Sequence, residues 1–133
     1  MQSKRPGRIP EQLLVSVVDD DESIRESLPD LLREFGFASR AFPSAEDFLS
    51  SAYVDGTRCL ILDIAMPGMT GLDLQEELGR RKHQIPIIFI TAKRDEAIRA
   101  KALERGAANF LYKPFSDTAL LDALNAALQA NGK

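Results

Sequence analysis

Five short runs of mostly β-branched or aliphatic residues, Leu13 to Val18, Ala38 to Phe42, Cys59 to Leu62, Ile85 to Ile90 and Ala108 to Tyr112, alternate along the chain with stretches of helical period. Runs of this length read as strands, and strands each followed by an amphipathic helix predict a parallel sheet covered on both faces by right-handed crossovers. The chain has fewer such units than a barrel needs, so the sheet is open. The fold class is therefore α/β, with the order strand then helix repeated five times.

The helices carry their own punctuation. Ile24, Leu28, Leu31, Leu32 and Phe35 form one apolar stripe on a helix that stops at Gly36. Pro29 interrupts it beyond the first turn and removes the bond to the Arg25 carbonyl, which predicts a local kink. Ser44 with Asp47 three residues later resembles a capping box that opens a helix through Phe48 and Leu49. Gly71 to Arg81, Asp95 to Arg105 before Gly106, and Asp117 to Ala130 complete the set.

The 133 residues suit one domain, placed at 13–130. The segment 1–12, with Lys4, Arg5, Pro6, Gly7, Arg8 and Pro10, has no apolar period and is expected to be a flexible arm; 131–133 is a short tail, and no output domain is expected in this chain. A formal charge of −3 disfavours direct nucleic-acid contact. Cys59 is the single cysteine, so no internal disulfide forms, and nowhere do about 18 apolar residues run together. The expectation is a cytoplasmic protein without membrane contact.

Ligands of open α/β sheets sit beyond the carboxyl ends of the strands. There the chain places Asp19 and Asp20 after the first strand, Asp63 at the end of the third, Thr91 at the end of the fourth, and Lys113 with Pro114 after the fifth. Three carboxylates brought together repel one another, and a hard divalent cation, Mg²⁺ or Mn²⁺, relieves that cost better than Zn²⁺ with oxygen ligands alone. A hydroxyl at Thr91 and an ammonium at Lys113 are the groups that suit a phosphoryl group carried by Asp63. Each residue alone has an ordinary role: an aspartate caps the next helix, Asp63 opens a turn, Thr91 is a β-branched strand residue, Lys113 an exposed charge. Their joint appearance at four strand ends is what those roles leave unexplained.

Val17-Val18-Asp19-Asp20, Leu62-Asp63-Ile64-Ala65-Met66-Pro67-Gly68-Met69-Thr70-Gly71, Ile90-Thr91-Ala92 and Phe110-Leu111-Tyr112-Lys113-Pro114-Phe115, in this order over Leu13 to Leu128, resemble the receiver domain of bacterial response regulators. Gly106-Ala107 before Phe110, together with Lys113-Pro114-Phe115, is most similar to the nitrogen-fixation-regulator (FixJ-type) branch. The resemblance implies a flavodoxin-like (βα)5 fold of strand order 2-1-3-4-5 and phosphoryl transfer from a sensor histidine kinase to Asp63. It implies Mg²⁺ bound by Asp20, Asp63 and the backbone carbonyl of Ala65, with Asp19 acting through water. Thr91, the backbone N–H of Ala92 and Lys113 would hold the phosphoryl oxygens, and Lys113-Pro114 resembles the family's cis peptide. Thr91 and Phe110 would form the switch, the ring turning inward on phosphorylation, although an ordinary strand aromatic fits the same position. The altered surface would comprise the fourth helix, fifth strand and fifth helix, Asp95 to Ala130, and phosphorylation would dimerise it, with transcriptional regulation as the output.

Ala65 and Lys93 flank the path of an attacking water and supply neither an acid nor an amide, which predicts slow self-dephosphorylation. Arg80, Arg81, Lys82 and His83 read as a solvated helix end, and Cys59 as inert core. An aspartyl-phosphate phosphohydrolase would need the same groups, but the haloacid-dehalogenase type places a second aspartate where this chain has Ala65. A flavin carrier of similar topology is disfavoured by the acidic first loop. The chain is expected to promote only its own modification and to turn over no external substrate.

Overall fold

The computed structural model describes residues 12–131. Ten elements alternate: β1 Leu14–Val18, α1 Glu22–Glu34, β2 Ala38–Phe42, α2 Ala45–Leu49, β3 Thr57–Asp63, α3 Gly71–Arg80, β4 Ile87–Thr91, α4 Glu96–Glu104, β5 Asn109–Tyr112 and α5 Asp117–Asn131. The five strands form one parallel sheet in the order β2-β1-β3-β4-β5, the flavodoxin-like arrangement. The expected N-terminal arm, apart from Gln12, and the last two residues of the expected tail lie outside the described residues.

Strand periodicity explains why the core divides in two. Successive strand side chains point to opposite faces, so Leu60 and Leu62 of β3 pack with Val18, Phe48, Leu74 and Phe89, while Cys59 and Ile61 pack with Val17, Leu32, Ile88 and Leu124. Helices α2, α3 and α4 cover the first face, α1 and α5 the second. Each wholly buried Leu, Ile or Phe contributes roughly 1.5–3 kcal/mol against the ordering entropy of the chain. A polar pair deep in the sheet is satisfied: Ser16 and Thr57 share a hydroxyl bond of 2.7 Å, and Thr57 Oγ1 donates to the Tyr53 carbonyl at 2.7 Å.

Local details depart from the sequence expectations in places. β4 begins at Ile87, not Ile85, because Pro86 has no N–H for the ladder and offers only its carbonyl, which accepts from Leu60 at 2.9 Å. α1 is unbroken through Pro29, the proposed kink site, and Pro29 is itself buried. At Ser44 only half of a capping box forms, Asp47 N–H donating to Oγ at 3.0 Å; the reciprocal box lies at Thr70 and Asp73. Arg80 and Arg81 both pair with Glu77 at the end of α3. Burial pushes the Cys59 thiol up to about 12, so the group is inert.

Candidate functional site

The carboxyl ends of β1 and β3 are neighbours, so Asp19 and Asp63 are brought together by strand order alone. One oxygen from each of Asp19, Asp20 and Asp63 lies within 4.8 Å of the others. Asp19 is wholly buried and Asp63 nearly so, while Asp20 is exposed at the mouth. Asp21 takes the ordinary role: it caps α1 by accepting from Ser23 N–H at 2.9 Å. Its own N–H donates to Asp19 Oδ1 at 2.9 Å, and Arg25 donates from Nη1 to the Asp19 carbonyl at 3.1 Å, which fixes the loop bearing the acidic pair.

Lys113 enters from the far edge. Its ammonium lies 2.9 Å from Asp19 Oδ2 and 3.9 Å from Asp63 Oδ1, and its backbone N–H donates to the Thr91 carbonyl at 2.8 Å. The Lys113–Pro114 peptide is cis. Burial holds the Asp63 carboxyl up at about 7; repulsion from Asp19 adds to this and Lys113 opposes it. Asp19 Oδ2 meets the ammonium without hydrogen-bond alignment and has no other partner, a buried oxygen with lone pairs to spare. Three converging carboxylates, one carrying an unfilled oxygen and one open to solvent, form a donor set that fits a hard divalent cation such as Mg²⁺.

Thr91 is buried beside this cluster, and its Oγ1 accepts from Lys93 N–H at 3.2 Å, leaving the hydroxyl proton to donate elsewhere. Ala92, Lys93 and Ala65 are exposed around it. Thr91, Ala65 and Phe110 line one cleft of about 300 Å³ together with Thr70 and Ile98. The Phe110 ring packs 6.1 Å from Phe89 and 5.5 Å from Tyr112 and is only 6% exposed, so an inward turn has little burial left to gain.

Two further residues shape the loop and helix that follow Asp63. Gly71 starts α3 hard against the end of β3: a Cβ there would lie 2.3 Å from the Asp63 carbonyl oxygen. Only glycine permits that approach, and its N–H donates to the Ile64 carbonyl at 3.0 Å. Glu46 of α2 reaches across to accept from Met69 N–H at 3.0 Å, clasping the loop that follows Asp63. Gly68 in that loop has φ of +74°, and a Cβ there would come within 2.9 Å of the same carboxylate. Both glycines sit in a motif legible in the sequence, but Glu46, the neighbour of Gly68, lies outside it.

A 2-1-3-4-5 sheet with three aspartates, a lysine and a threonine at its carboxyl edge defines a flavodoxin-like protein with an acidic, lysine-bridged site. The sequence matches the response regulator receiver domain over residues 15–125, and the chain belongs to that family. It is 48% identical over 120 residues to nodulation protein W of Bradyrhizobium diazoefficiens, covering 90% of this chain and 53% of that one. It is 40% identical to the transcriptional regulatory protein FixJ of Azorhizobium caulinodans, covering 90% and 57%. The crystal structure of FixJ-N superposes with a TM-score of 0.80 at 38% identity, covering 90% of this chain and 96% of that one. The chain thus spans about half the length of the curated relatives it matches. Among the described residues no helix is long and apolar enough to cross a membrane.

Proposed function

We propose that the chain is a phosphoacceptor switch that takes a phosphoryl group onto Asp63 from a sensor histidine kinase or a phosphotransfer protein. The observation that carries the reading is the Lys113 ammonium set between Asp19 and Asp63 in a cluster of three carboxylates. Asp20, Asp63 and the Ala65 carbonyl hold Mg²⁺, or Mn²⁺ in its place, and Asp19 acts through water. The bound ion supplies charge neutralisation for the carboxylate and the incoming phosphoryl oxygens. Ionised Asp63 attacks phosphorus in line, its Oδ–P bond forming as the P–N bond of the donor phosphohistidine breaks and the electron pair returns to the imidazole.

Lys113, the Thr91 hydroxyl and the Ala92 N–H then hold the phosphoryl oxygens. Since Thr91 accepts from Lys93, its own hydroxyl proton stays available for that task. Beside Lys113 a groove of about 620 Å³, lined by Ile24, Leu28, Leu31, Pro114 and Phe115, offers the donor protein an apolar hold. Thr91 and Phe110, sharing one cleft, act as the switch, and the α4-β5-α5 surface changes for signalling through a phosphorylation-dependent homodimer. The chain promotes only its own phosphorylation and dephosphorylation, works in the cytoplasm, and touches neither DNA nor membrane itself. The relatives named as transcriptional regulators support transcription as the output.

The test is intact mass after incubation with acetyl phosphate and Mg²⁺. A gain of about 80 Da, one phosphate, is expected for the parent chain and not for Asp63→Asn or in excess EDTA. Folded, metal-replete protein that gains no mass from acetyl phosphate or from a phosphorylated histidine kinase overturns the reading.

A further inference from the structure

Helix α4 is held to the domain in an uneven way. It has one fully buried residue, Ala102, with Ile98 and Leu103 half-buried, whereas α3 buries Leu74 and Leu78 and α5 buries Leu120 and Leu124. Its C-terminal end is bolted by a buried side chain: Gln75 of α3 donates from Nε2 to the Ala102 carbonyl at 3.1 Å. The same carbonyl accepts from Ala107 N–H at 3.0 Å, closing the helix end.

The N-terminal end hangs on one aromatic residue of the neighbouring strand. Tyr112 donates its phenol proton to Glu96 Oε2 at 3.1 Å, and the Arg94 guanidinium lies 4.1 Å over its ring. Arg94 and Glu96 flank Asp95, the N-cap that accepts from Ala97 and Ile98. Tyr112 therefore grips the first turn of α4 on both sides of its cap. The ring is engaged from its own strand as well. Its centroid is 5.5 Å from that of Phe110 at an edge-on angle of 70°, and Tyr112 pairs in register with Thr91.

We propose that Tyr112 ties the start of α4 to β5 and that rearrangement of Thr91 and Phe110 is read out by release of this tie, α4 then pivoting about the Gln75–Ala102 contact. The tie deepens the phosphoacceptor reading and rests on it for the trigger, but the tie itself is a property of the unmodified chain. Phe110 cannot repack against Phe89 without disturbing the ring edge it meets in Tyr112. A solvent-exposed hydrogen bond and a cation over a ring are weak enough to open reversibly, while the buried amide at the other end is not. Tyr112 is a positioning residue: it touches neither the acidic cluster nor a phosphoryl oxygen.

The experiment is amide hydrogen exchange on α4, read with and without acetyl phosphate and Mg²⁺, with intact mass recording phosphate uptake in the same samples. Tyr112→Phe keeps the ring and loses the phenol bond, so amides of Arg99 to Ala102 should exchange roughly fivefold faster in the unmodified state, the worth of one exposed bond. Glu96→Ala should do the same and Glu96→Gln, which keeps an acceptor oxygen, should not. Phosphate uptake should be unchanged in all three. In the parent chain the same amides should speed up only in the phosphorylated fraction, and in Tyr112→Phe phosphorylation should add little.

Parent-like α4 exchange in folded Tyr112→Phe overturns the tie, and parent α4 exchange unchanged by verified phosphorylation overturns the trigger. Absence of phosphate uptake from any donor sinks the phosphoacceptor reading instead, with the unmodified-state comparison still deciding the tie.

Discussion

Nζ of Lys113 sits nearer Oδ2 of Asp19, at 2.9 Å, than any oxygen of Asp63, at 3.9 Å. In this arrangement the lysine serves mainly to balance a wholly buried aspartate. Lys113→Met in metal-free protein leaves that charge uncompensated, and a loss of roughly 2–4 kcal/mol is expected. Urea unfolding would measure it, and saturating Mg²⁺ should restore most of the loss. Equal stability of the two proteins without metal would refute the balancing role.

The raised pKa of Asp63 gives a pH dependence with a defined sign. Its carboxyl titrates near 7 in the folded chain against an ordinary 3.8, so between these values the folded state binds more protons than the unfolded one. The resulting stabilisation is complete below the ordinary value and is lost as pH rises through about 7. In metal-free protein Asp63→Asn should flatten this part of the profile and raise stability at pH 8 by roughly 1–3 kcal/mol. Thermal melts from pH 5 to 8 decide it, and a variant melting below the parent at pH 8 contradicts the cost of burying the charge beside Asp19.

Gly71→Ala forces the start of α3 away from the Asp63 carbonyl, since a Cβ at 2.3 Å cannot be accommodated by backbone atoms. A cost of roughly 1–3 kcal/mol and a weaker Mg²⁺ affinity are expected together. Glu46→Ala should cost less, about 1 kcal/mol, because only the Met69 N–H bond is lost; Glu46→Gln should retain most of it. Calorimetric Mg²⁺ titrations alongside denaturation would show whether the two effects track each other.

Ala65 and Lys93 stand exposed at the mouth of the site and offer an attacking water no acid or amide. Ala65→Asn introduces an amide at that mouth, and loss of phosphate from Asp63 should quicken by about tenfold. The half-life of the mass-shifted species provides the measurement, and an unaltered half-life would count against water orientation as the limiting factor.

Period and position in the sequence are enough to place Asp19, Asp20, Asp63, Thr91 and Lys113 at strand ends, because a parallel sheet delivers its carboxyl ends to one edge. Contacts between distant loops are another matter. Nothing in the chain announces that Glu46 meets Met69, 23 residues away, or that Gln75 is buried against α4. Ser44 to Asp47 and Thr70 to Asp73 have the same spacing on paper, yet only the second closes both bonds, because the reciprocal bond depends on how the preceding loop enters the helix. Pro29 is legible as a missing donor but not as a residue that a continuous helix would bury. Tyr112 reads as one more strand aromatic until Arg94 and Glu96 are seen on either side of the α4 cap.

The burial of Cys59 has a use beyond packing. A thiol held up at about 12 and walled in by the central strands reacts with alkylating reagents only when the sheet itself opens, and it is the chain's one cysteine. Its labelling rate is therefore a built-in clock for global opening, against which the local loosening of any helix end can be timed in the same tube.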